Sequence, residues 1–146
     1  MVIHEMTGRE CRAALAEGNL ARLACALDNQ PYIVPTRLYL HDESLYGYAT
    51  LGLKIEWMRQ NPLVAVAVDR IDSQAQWTSV VVFGQYEELP DIPRNEEALR
   101  IANHLFQGQP LWWKPGSVPV TGHQPRPWIV FRIHIARMTG RRAAPE

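Results

Sequence analysis

The feature that most constrains the fold is a series of short β-type segments separated by turn residues. In Leu20–Leu27 every second residue from Ala21 onward is apolar, which is typical of a strand with one buried face. Tyr32–Leu40 and Ser44–Ala49 follow at hairpin spacing, which predicts antiparallel pairing. Because Pro35 has no backbone N–H, the second of these strands should lie at a sheet edge or carry a bulge.

The remainder of the chain contains three further predicted strands, which are Leu63–Val68, Trp77–Leu89 and Trp128–Met138. Asp69–Ser73 is interpreted as a turn, and Arg141–Glu146 as a polar tail. Gly84 lies inside the longest candidate and permits it to bend, and long bent strands suit a barrel better than a flat sheet. The sequence therefore predicts a mostly β, antiparallel barrel of six strands.

Three short helices are expected in the connections between these strands. Thr7 and Glu10 have capping-box spacing, which predicts a helix that Gly18 would end. A second helix is predicted over Leu51–Gln60 and a third over about residues 94–106, where apolar residues recur at helical spacing. Short helices thus complete a single predicted domain over residues 1–146.

Composition excludes several classes of protein. Fifteen basic and fifteen acidic residues give a formal net charge of zero, without the basic excess that usually marks a nucleic-acid-binding domain. The longest apolar run is too short to span a bilayer, and the N-terminus lacks the apolar stretch of a secretory signal. Two isolated cysteines, Cys11 and Cys25, indicate reduced buried thiols. We expect a cytoplasmic protein that binds neither nucleic acid nor membrane.

Common catalytic and cofactor motifs are missing from the sequence. There is no Gly-x-Gly-x-x-Gly fingerprint, and Gly47–Lys54 resembles a phosphate-binding P-loop only superficially, because its spacing is wrong. The five histidines are scattered and do not have the spacing of metal ligands, so no metal site is predicted.

The junction between the strand at Ser44–Ala49 and the second predicted helix is the best candidate for a binding site. A helix start offers unpaired N–H groups and a partial positive charge, which suit a phosphate. Thr50 and Lys54 lie at this start and could complete such a site. The alternative interpretation is that Thr50 is an ordinary N-cap and Lys54 a solvated surface residue.

Four segments in this order carry a resemblance to a known family: Pro35-Thr36-Arg37-Leu38-Tyr39, Leu45–Thr50 with Gly52 and Lys54, Asn61-Pro62-x-Val64, and Thr78–Tyr86. Together they resemble the FMN-binding split-barrel superfamily. The chain is most similar to small pyridoxamine 5′-phosphate oxidase-related proteins near the nitroimidazole-resistance branch, over about residues 7–106. The nitroimidazole-resistance pattern often has a histidine where Gly47 stands.

The resemblance implies a six-stranded, Greek-key-like split barrel that forms a homodimer, with a flavin in each cleft between the subunits. It implies FMN as the cofactor, with FAD or a deazaflavin as alternatives. It implies that the strand at residues 35–37 follows the isoalloxazine ring, that residues 48–50 and Lys54 reach the ribityl chain and phosphate, and that Ser79 lies near the pyrimidine end of the ring. The cofactor-binding residues implied are Pro35, Thr36, Arg37, Tyr48, Ala49, Thr50, Lys54, Thr78 and Ser79.

The implied function is that of an FMN-dependent oxidoreductase acting on a small organic substrate, because the flavin carries the chemistry in such enzymes. A flavin carrier or sensor without turnover is the alternative, and no catalytic side chain is identified. Arg37 could pair with phosphate or with a surface carboxylate, and Arg37 and Tyr48 could contact substrate. Trp112 and Trp113 could either line the flavin cleft or pack a barrel end or the dimer interface.

Overall fold

The structure is a computed structural model that describes residues 1–17, 20–107 and 128–146. These residues form eight β-strands and three α-helices. The elements in chain order are β1 (Val2–Glu5), α1 (Gly8–Ala16), β2 (Leu20–Leu27), β3 (Gln30–Arg37), β4 (Tyr39–His41), β5 (Ser44–Thr50), α2 (Leu53–Gln60), β6 (Leu63–Ser73), β7 (Gln76–Glu88), α3 (Glu96–Phe106) and β8 (Trp128–Ala144). A single 3₁₀ turn, Pro93–Asn95, precedes α3. None of the helices in these described ranges is long and apolar enough to cross a membrane.

The predicted hairpins form as expected. β2 and β3 pair antiparallel across a two-residue turn at Asp28 and Asn29, whose φ angles of 51° and 65° are left-handed. Two consecutive residues with positive φ are typical of a type I′ turn, which matches the twist of the flanking strands, and Asp and Asn tolerate this conformation. β3, which contains Pro35, lies at the edge of the sheet, and this confirms the edge position predicted from the proline.

The sheet closes into a split barrel because of a very short connection. Its strand order is β3-β2-β6-β7-β8-β5-β4, with β1 added to the far end of β8. β3 and β4 are the two outermost strands of this path, yet only Leu38 separates them in the chain. One residue cannot span a flat sheet of seven strands, so the sheet must curl until its two edges meet.

Two apolar clusters stabilise the barrel. The larger cluster fills the barrel interior and includes Leu23, Val66, Val82, Phe131 and Ile133, all at most 1% exposed. α2 adds Ile55 and Met58 to this cluster, and both are fully buried. The second cluster lies outside the barrel wall, between β5 and α3, and contains Tyr39, Tyr46, Tyr48, Leu89, Ala98, Ala102 and Phe106.

Several predicted boundaries are wrong, although the mostly β barrel is confirmed. The strand predicted over Tyr32–Leu40 is divided at Leu38 into β3 and β4, and β1 was not predicted, so the described residues form eight strands rather than six. Asp69–Ser73 continues β6 instead of forming a turn, and the supposed polar tail belongs to β8 through Ala144. Gly18, Trp112 and Trp113 lie outside the described residues.

The start of α2 also differs from the prediction. The helix begins at Leu53 rather than Leu51, with Gly52 as its N-cap. The predicted role of Thr50 as an ordinary N-cap is therefore wrong. By contrast, the capping box of α1 is confirmed, because the Glu10 N–H donates to the Thr7 hydroxyl and the Thr7 N–H donates to the Glu10 carboxylate.

Gly84 lies in β7 at a point of close contact with β8. The pairing of β7 with β8 shifts register between Phe83 and Gly84, which marks a bulge. A Cβ atom on Gly84 would lie 2.5 Å from the backbone oxygen of His134 and 2.7 Å from Ile133. The close approach of two backbones therefore requires glycine at this position.

We expect Gly84→Ala to lower the free energy of unfolding by about 1–3 kcal/mol, the usual cost of forcing extra volume into a packed site. Denaturant unfolding followed by circular dichroism measures this change. Gly8→Ala is the matched control, because nothing lies within 4 Å of a Cβ there and helix α1 should tolerate or prefer alanine. Equal unfolding midpoints for the two variants would contradict the role assigned to Gly84.

Candidate functional site

The start of α2 presents a positively charged site without a carboxylate counterion among the described residues. Gly52 has no side chain that could cap the helix, so its first backbone N–H groups receive no hydrogen bond from an N-cap side chain. Lys54 lies in the first turn and is partly buried, and burial lowers its pKa from the usual value. Within the described ranges the one ionisable group that acts on Lys54 is the buried thiol of Cys25, which is not a carboxylate. This chemistry suits a bound phosphate.

A second set of polar side chains, Arg37, Tyr39 and Tyr48, lies on the other side of the barrel wall, against α3. Tyr48 and Tyr39 both pack on Phe106, with ring centroids 4.5 and 5.6 Å from it. The Tyr48 hydroxyl is buried and makes no hydrogen bond with the described part of the chain. The Tyr39 hydroxyl lies beside the guanidinium of Arg37. Arg37 and Tyr48, both predicted site residues, are therefore brought together here.

Burial governs the ionisation of these two tyrosines. It raises the pKa of Tyr48 to about 12, with a further rise from neighbouring Tyr39 and a smaller opposing effect of Arg37. It also raises the pKa of Tyr39, again against the effect of Arg37. Both hydroxyls therefore stay protonated at neutral pH and act as hydrogen-bond donors.

The predicted pair Thr78 and Ser79 and the region of Lys54 lie at different points along β6. Ser79 is opposite Asp69 on β6, whereas Lys54 lies near Cys25, whose neighbour Ala24 pairs with Ala65. Four residues of β6 separate these two points, which is about 13 Å along the strand.

Thr78 and Ser79 also face opposite sides of the sheet, as adjacent strand residues must. Ser79 lines a surface cavity of about 590 Å³ together with Trp77, Val81, Met138 and Arg141. Thr78 faces a different cleft, of about 330 Å³, against α1. The structure thus places Thr78 and Ser79 in two different clefts.

The other predicted residues occupy different environments. Pro35 is exposed on the outer side of β3, whereas Thr36 is 3% exposed and faces inward. Ala49 is part of the barrel core, and Thr50 is partly buried at the end of β5, opposite Trp128. Because its side chain is in the core, Ala49 can contact a ligand only through its backbone groups.

Position 47 cannot hold a side chain in this backbone. A Cβ on Gly47 would lie 2.7 Å from Leu38 and 2.8 Å from Phe131, both inside the barrel. The glycine is therefore required by core packing.

A third polar cluster joins β5, β7 and β8, and sequence reasoning missed it. His134 Nε2 lies 2.8 Å from Glu87 Oε1, and its Nδ1 lies 3.3 Å from the Ser44 hydroxyl. Arg132 Nε donates to Glu87 at 2.5 Å. Although burial opposes it, hydrogen bonding from Arg132 and His134 lowers the pKa of Glu87.

This serine–histidine–glutamate arrangement has the residue types of a hydrolase triad, but its serine is 7% exposed and its hydroxyl is held in the β5–β8 pairing region. We therefore interpret it as a structural network. No sequence signal could have found it, because Glu87 is remote from His134 in the chain and only strand register brings them together.

Comparison with known proteins finds relatives that share the fold of this chain. It is 40% identical to an uncharacterised protein of Rhizobium meliloti (strain 1021), over 98% of this chain and 97% of that protein. The crystal structure of a FAD-binding protein from Mesorhizobium loti matches 99% of both chains with a TM-score of 0.84 and 37% identity. A candidate 5-nitroimidazole antibiotic resistance protein from Bacteroides thetaiotaomicron shares the fold, with a TM-score of 0.65, 17% identity, and coverage of 100% of this chain and 93% of that chain.

The sequence profile of one protein family matches nearly the whole chain, over residues 7–142. The match includes the α2 start with Lys54 and the tyrosine cluster against α3, as well as the long β7 and most of β8. By this match, the chain belongs to the pyridoxamine 5′-phosphate oxidase family.

Proposed function

We propose that this protein binds a flavin through its 5′-phosphate at the start of α2. The observation that carries the proposal is the partly buried Lys54, which has no carboxylate neighbour within the described ranges and lies beside an uncapped helix start. A cation without an internal counterion is costly to bury and indicates that an anion completes the site. Thr50 supplies a hydroxyl close by, at the end of β5.

FMN is the first candidate for the cofactor, and FAD is the second. Both contain the riboflavin 5′-phosphate unit that Lys54 would bind, so the α2 site alone favours neither. FAD is supported by the Mesorhizobium loti protein, which is described as FAD-binding and is 37% identical to this chain. Mass spectrometry of the small molecule released from the denatured protein distinguishes FMN, FAD and a deazaflavin directly.

The activity that follows is oxidation or reduction of a small organic substrate. A bound flavin supplies hydride or electron transfer, and the protein supplies binding, orientation and electrostatics. In this chain Lys54 and the helix start would fix the phosphate end of the cofactor, and β3 with Arg37 would lie along the ring. Reoxidation of the reduced flavoprotein by quinones, nitro compounds or oxygen tests turnover, and a protein that reduces none of them would be a carrier or sensor instead.

We further propose that two copies of the chain form a homodimer through the outer face of the barrel. The paired residues Ile33, Ala24, Ala65 and Phe83 form an apolar row across β3, β2, β6 and β7. Ile33 is 61% exposed and Phe83 37% exposed in the single chain. A continuous apolar face with small central side chains is typical of an interface between subunits.

A dimer would also allow predicted site residues of two chains to contact one flavin. Along β6, Ala65, which pairs with the neighbour of Cys25, and Asp69, which pairs with Ser79, are four residues or about 13 Å apart. If the flavin lies between subunits, Lys54 of one copy and Ser79 of the other can contact the same molecule. The proposed dimer and the proposed flavin site therefore support each other.

Lys54→Ala should weaken flavin binding by about 1–3 kcal/mol, the scale of a charge-assisted hydrogen bond. Fluorescence titration of the flavin-free protein with FMN and with FAD measures the change. Arg59→Ala is the control, because Arg59 lies on the same helix but is paired with Glu88 at 2.8 Å. Unchanged affinity in Lys54→Ala would remove this lysine from the phosphate site.

Ala65→Arg should convert the dimer into a monomer, because it places a charge at the centre of the apolar row. Size-exclusion chromatography with light scattering measures the mass, and circular dichroism checks that the variant remains folded. Asn103→Arg adds the same charge on the exposed side of α3 and should leave the mass unchanged. A wild-type protein that is monomeric at all concentrations would contradict the interface.

A further inference from the structure

The surface cavity on the outer face of β7, β8 and β1 is a second candidate binding site. Its volume is about 590 Å³, and its polar lining comes from Ser79 on β7, Thr139 and Arg141 on β8, and Glu5 on β1. Cavities of about 300–1,000 Å³ with a few polar groups in an apolar lining are typical of sites for small organic molecules. The chemistry of this lining therefore indicates what kind of molecule it would bind.

Strand register fixes the order of the polar groups. Ser79 pairs with Arg141, and Arg141 pairs with Glu5, so the three residues form one row across β7, β8 and β1. The Cβ atoms of direct cross-strand partners lie about 4.5–5.5 Å apart, which brings a hydroxyl, a guanidinium and a carboxylate within reach of one small molecule. Thr139 is two residues before Arg141 and adds a second hydroxyl on the same face.

The charges in this row favour a neutral ligand. Arg141 attracts an anion but Glu5 repels it, and the reverse holds for a cation. Although Arg141 and Glu5 are both described and are cross-strand partners, no ion pair joins them, whereas the adjacent Arg142 binds Glu10 at 2.8 Å. A molecule with a hydrogen-bond acceptor next to a donor would satisfy both side chains, since guanidinium groups only donate and carboxylates only accept.

The apolar part of the lining suits a flat ring. Trp77 is half-buried and lies two residues before Ser79, on the same face of β7. Met6, Val81 and Met138 complete this part of the cavity. Aromatic and thioether groups make favourable contacts with flat rings. A planar heterocycle with C=O and N–H groups side by side on one edge would match both the apolar and the polar lining.

We propose that this cavity binds the imide edge of a planar heterocycle, in which an N–H group lies between two C=O groups. Arg141 donates to one carbonyl, Glu5 accepts the imide N–H, and the hydroxyls of Ser79 and Thr139 bind the remaining polar atoms. The isoalloxazine ring of a flavin has such an edge, and so does a free pyrimidinedione, so the cofactor's own ring and a separate substrate are the two sources of this chemistry. The first source rests on the proposed function, whereas the second does not.

The cavity also borders the proposed dimer interface. Ser79, Val81 and Phe83 alternate along β7 and therefore share one face of the sheet, and Phe83 belongs to the apolar row through which two copies would pack. In the proposed dimer, a heterocycle bound in this cavity would thus lie at the margin of the contact between the two copies.

Lumiflavin, the isoalloxazine ring without the ribityl phosphate chain, is the probe for this site. Its counterpart is 3-methyllumiflavin, in which a methyl group replaces the imide hydrogen. Calorimetric titration of the flavin-free protein should detect lumiflavin binding, with 3-methyllumiflavin at least tenfold weaker. Arg141→Met keeps an unbranched side chain and removes its donors, so it should weaken lumiflavin binding about tenfold. Arg142→Met is the matched control, because Arg142 faces the cleft against α1, and lumiflavin binding should be unchanged.

Glu5→Ala provides a second variant at an exposed strand end, and it should also weaken lumiflavin binding about tenfold. Circular dichroism checks that all three variants remain folded. Absence of lumiflavin binding by the wild type would overturn the proposal. Equal binding of lumiflavin and 3-methyllumiflavin, or equal lumiflavin binding by the wild type and Arg141→Met, would overturn it as well.

The same titration on FMN-loaded protein identifies the source of the heterocycle. Lumiflavin binding that is lost when FMN is bound assigns the cavity to the cofactor's ring, whereas binding that persists and still depends on Arg141 assigns it to a separate substrate. A chain whose FMN affinity depends on Lys54, but whose lumiflavin binding does not depend on Arg141, loses only the cavity assignment. A chain that binds lumiflavin and gains no affinity from the phosphate of FMN keeps the cavity and loses the proposed site at Lys54.

Discussion

The connection between β3 and β4 is the constraint on which the rest of the structure depends. Leu38 alone joins the two outermost strands of the sheet, so the sheet has to curl into a barrel. Leu38 is 3% exposed and lies against the position where a Cβ on Gly47 would be, so the connection is itself part of the barrel core. The same short connection holds Arg37 and Tyr39 close together, and thereby places the arginine of β3 beside the tyrosines packed on α3.

Much of this fold could be predicted from the sequence where burial is one-sided. The alternation in β2 and the capping box of α1 report local physics, and both are found as predicted. β1 and the outer half of β6 were missed because their residues are exposed on both faces. These segments are stabilised by backbone pairing, since β1 pairs with β8 and β6 pairs with β7. Such pairing does not require a hydrophobic pattern in the sequence.

The candidate site was predictable only in part, for a geometric reason. The spacing of Thr50 and Lys54 at a helix start is local, so the sequence could indicate it, although not that the helix begins at Leu53. The meeting of Arg37 with Tyr48 depends on how the barrel closes, which strand-by-strand reasoning does not specify. The opposite orientations of Thr78 and Ser79 follow from the pleat, but the side on which a ligand lies depends on tertiary structure.

The length and position of β8 also have a consequence for how the protein is made. This strand of 17 residues pairs with β5 along its first part, with β7 along most of its length and with β1 at its end. Translation proceeds from the N-terminus, so β5 and β7 emerge from the ribosome long before the strand that joins them. Until β8 is synthesised, both strands present unpaired edges, which are prone to aggregate, and chaperone binding during synthesis is therefore most valuable in that interval.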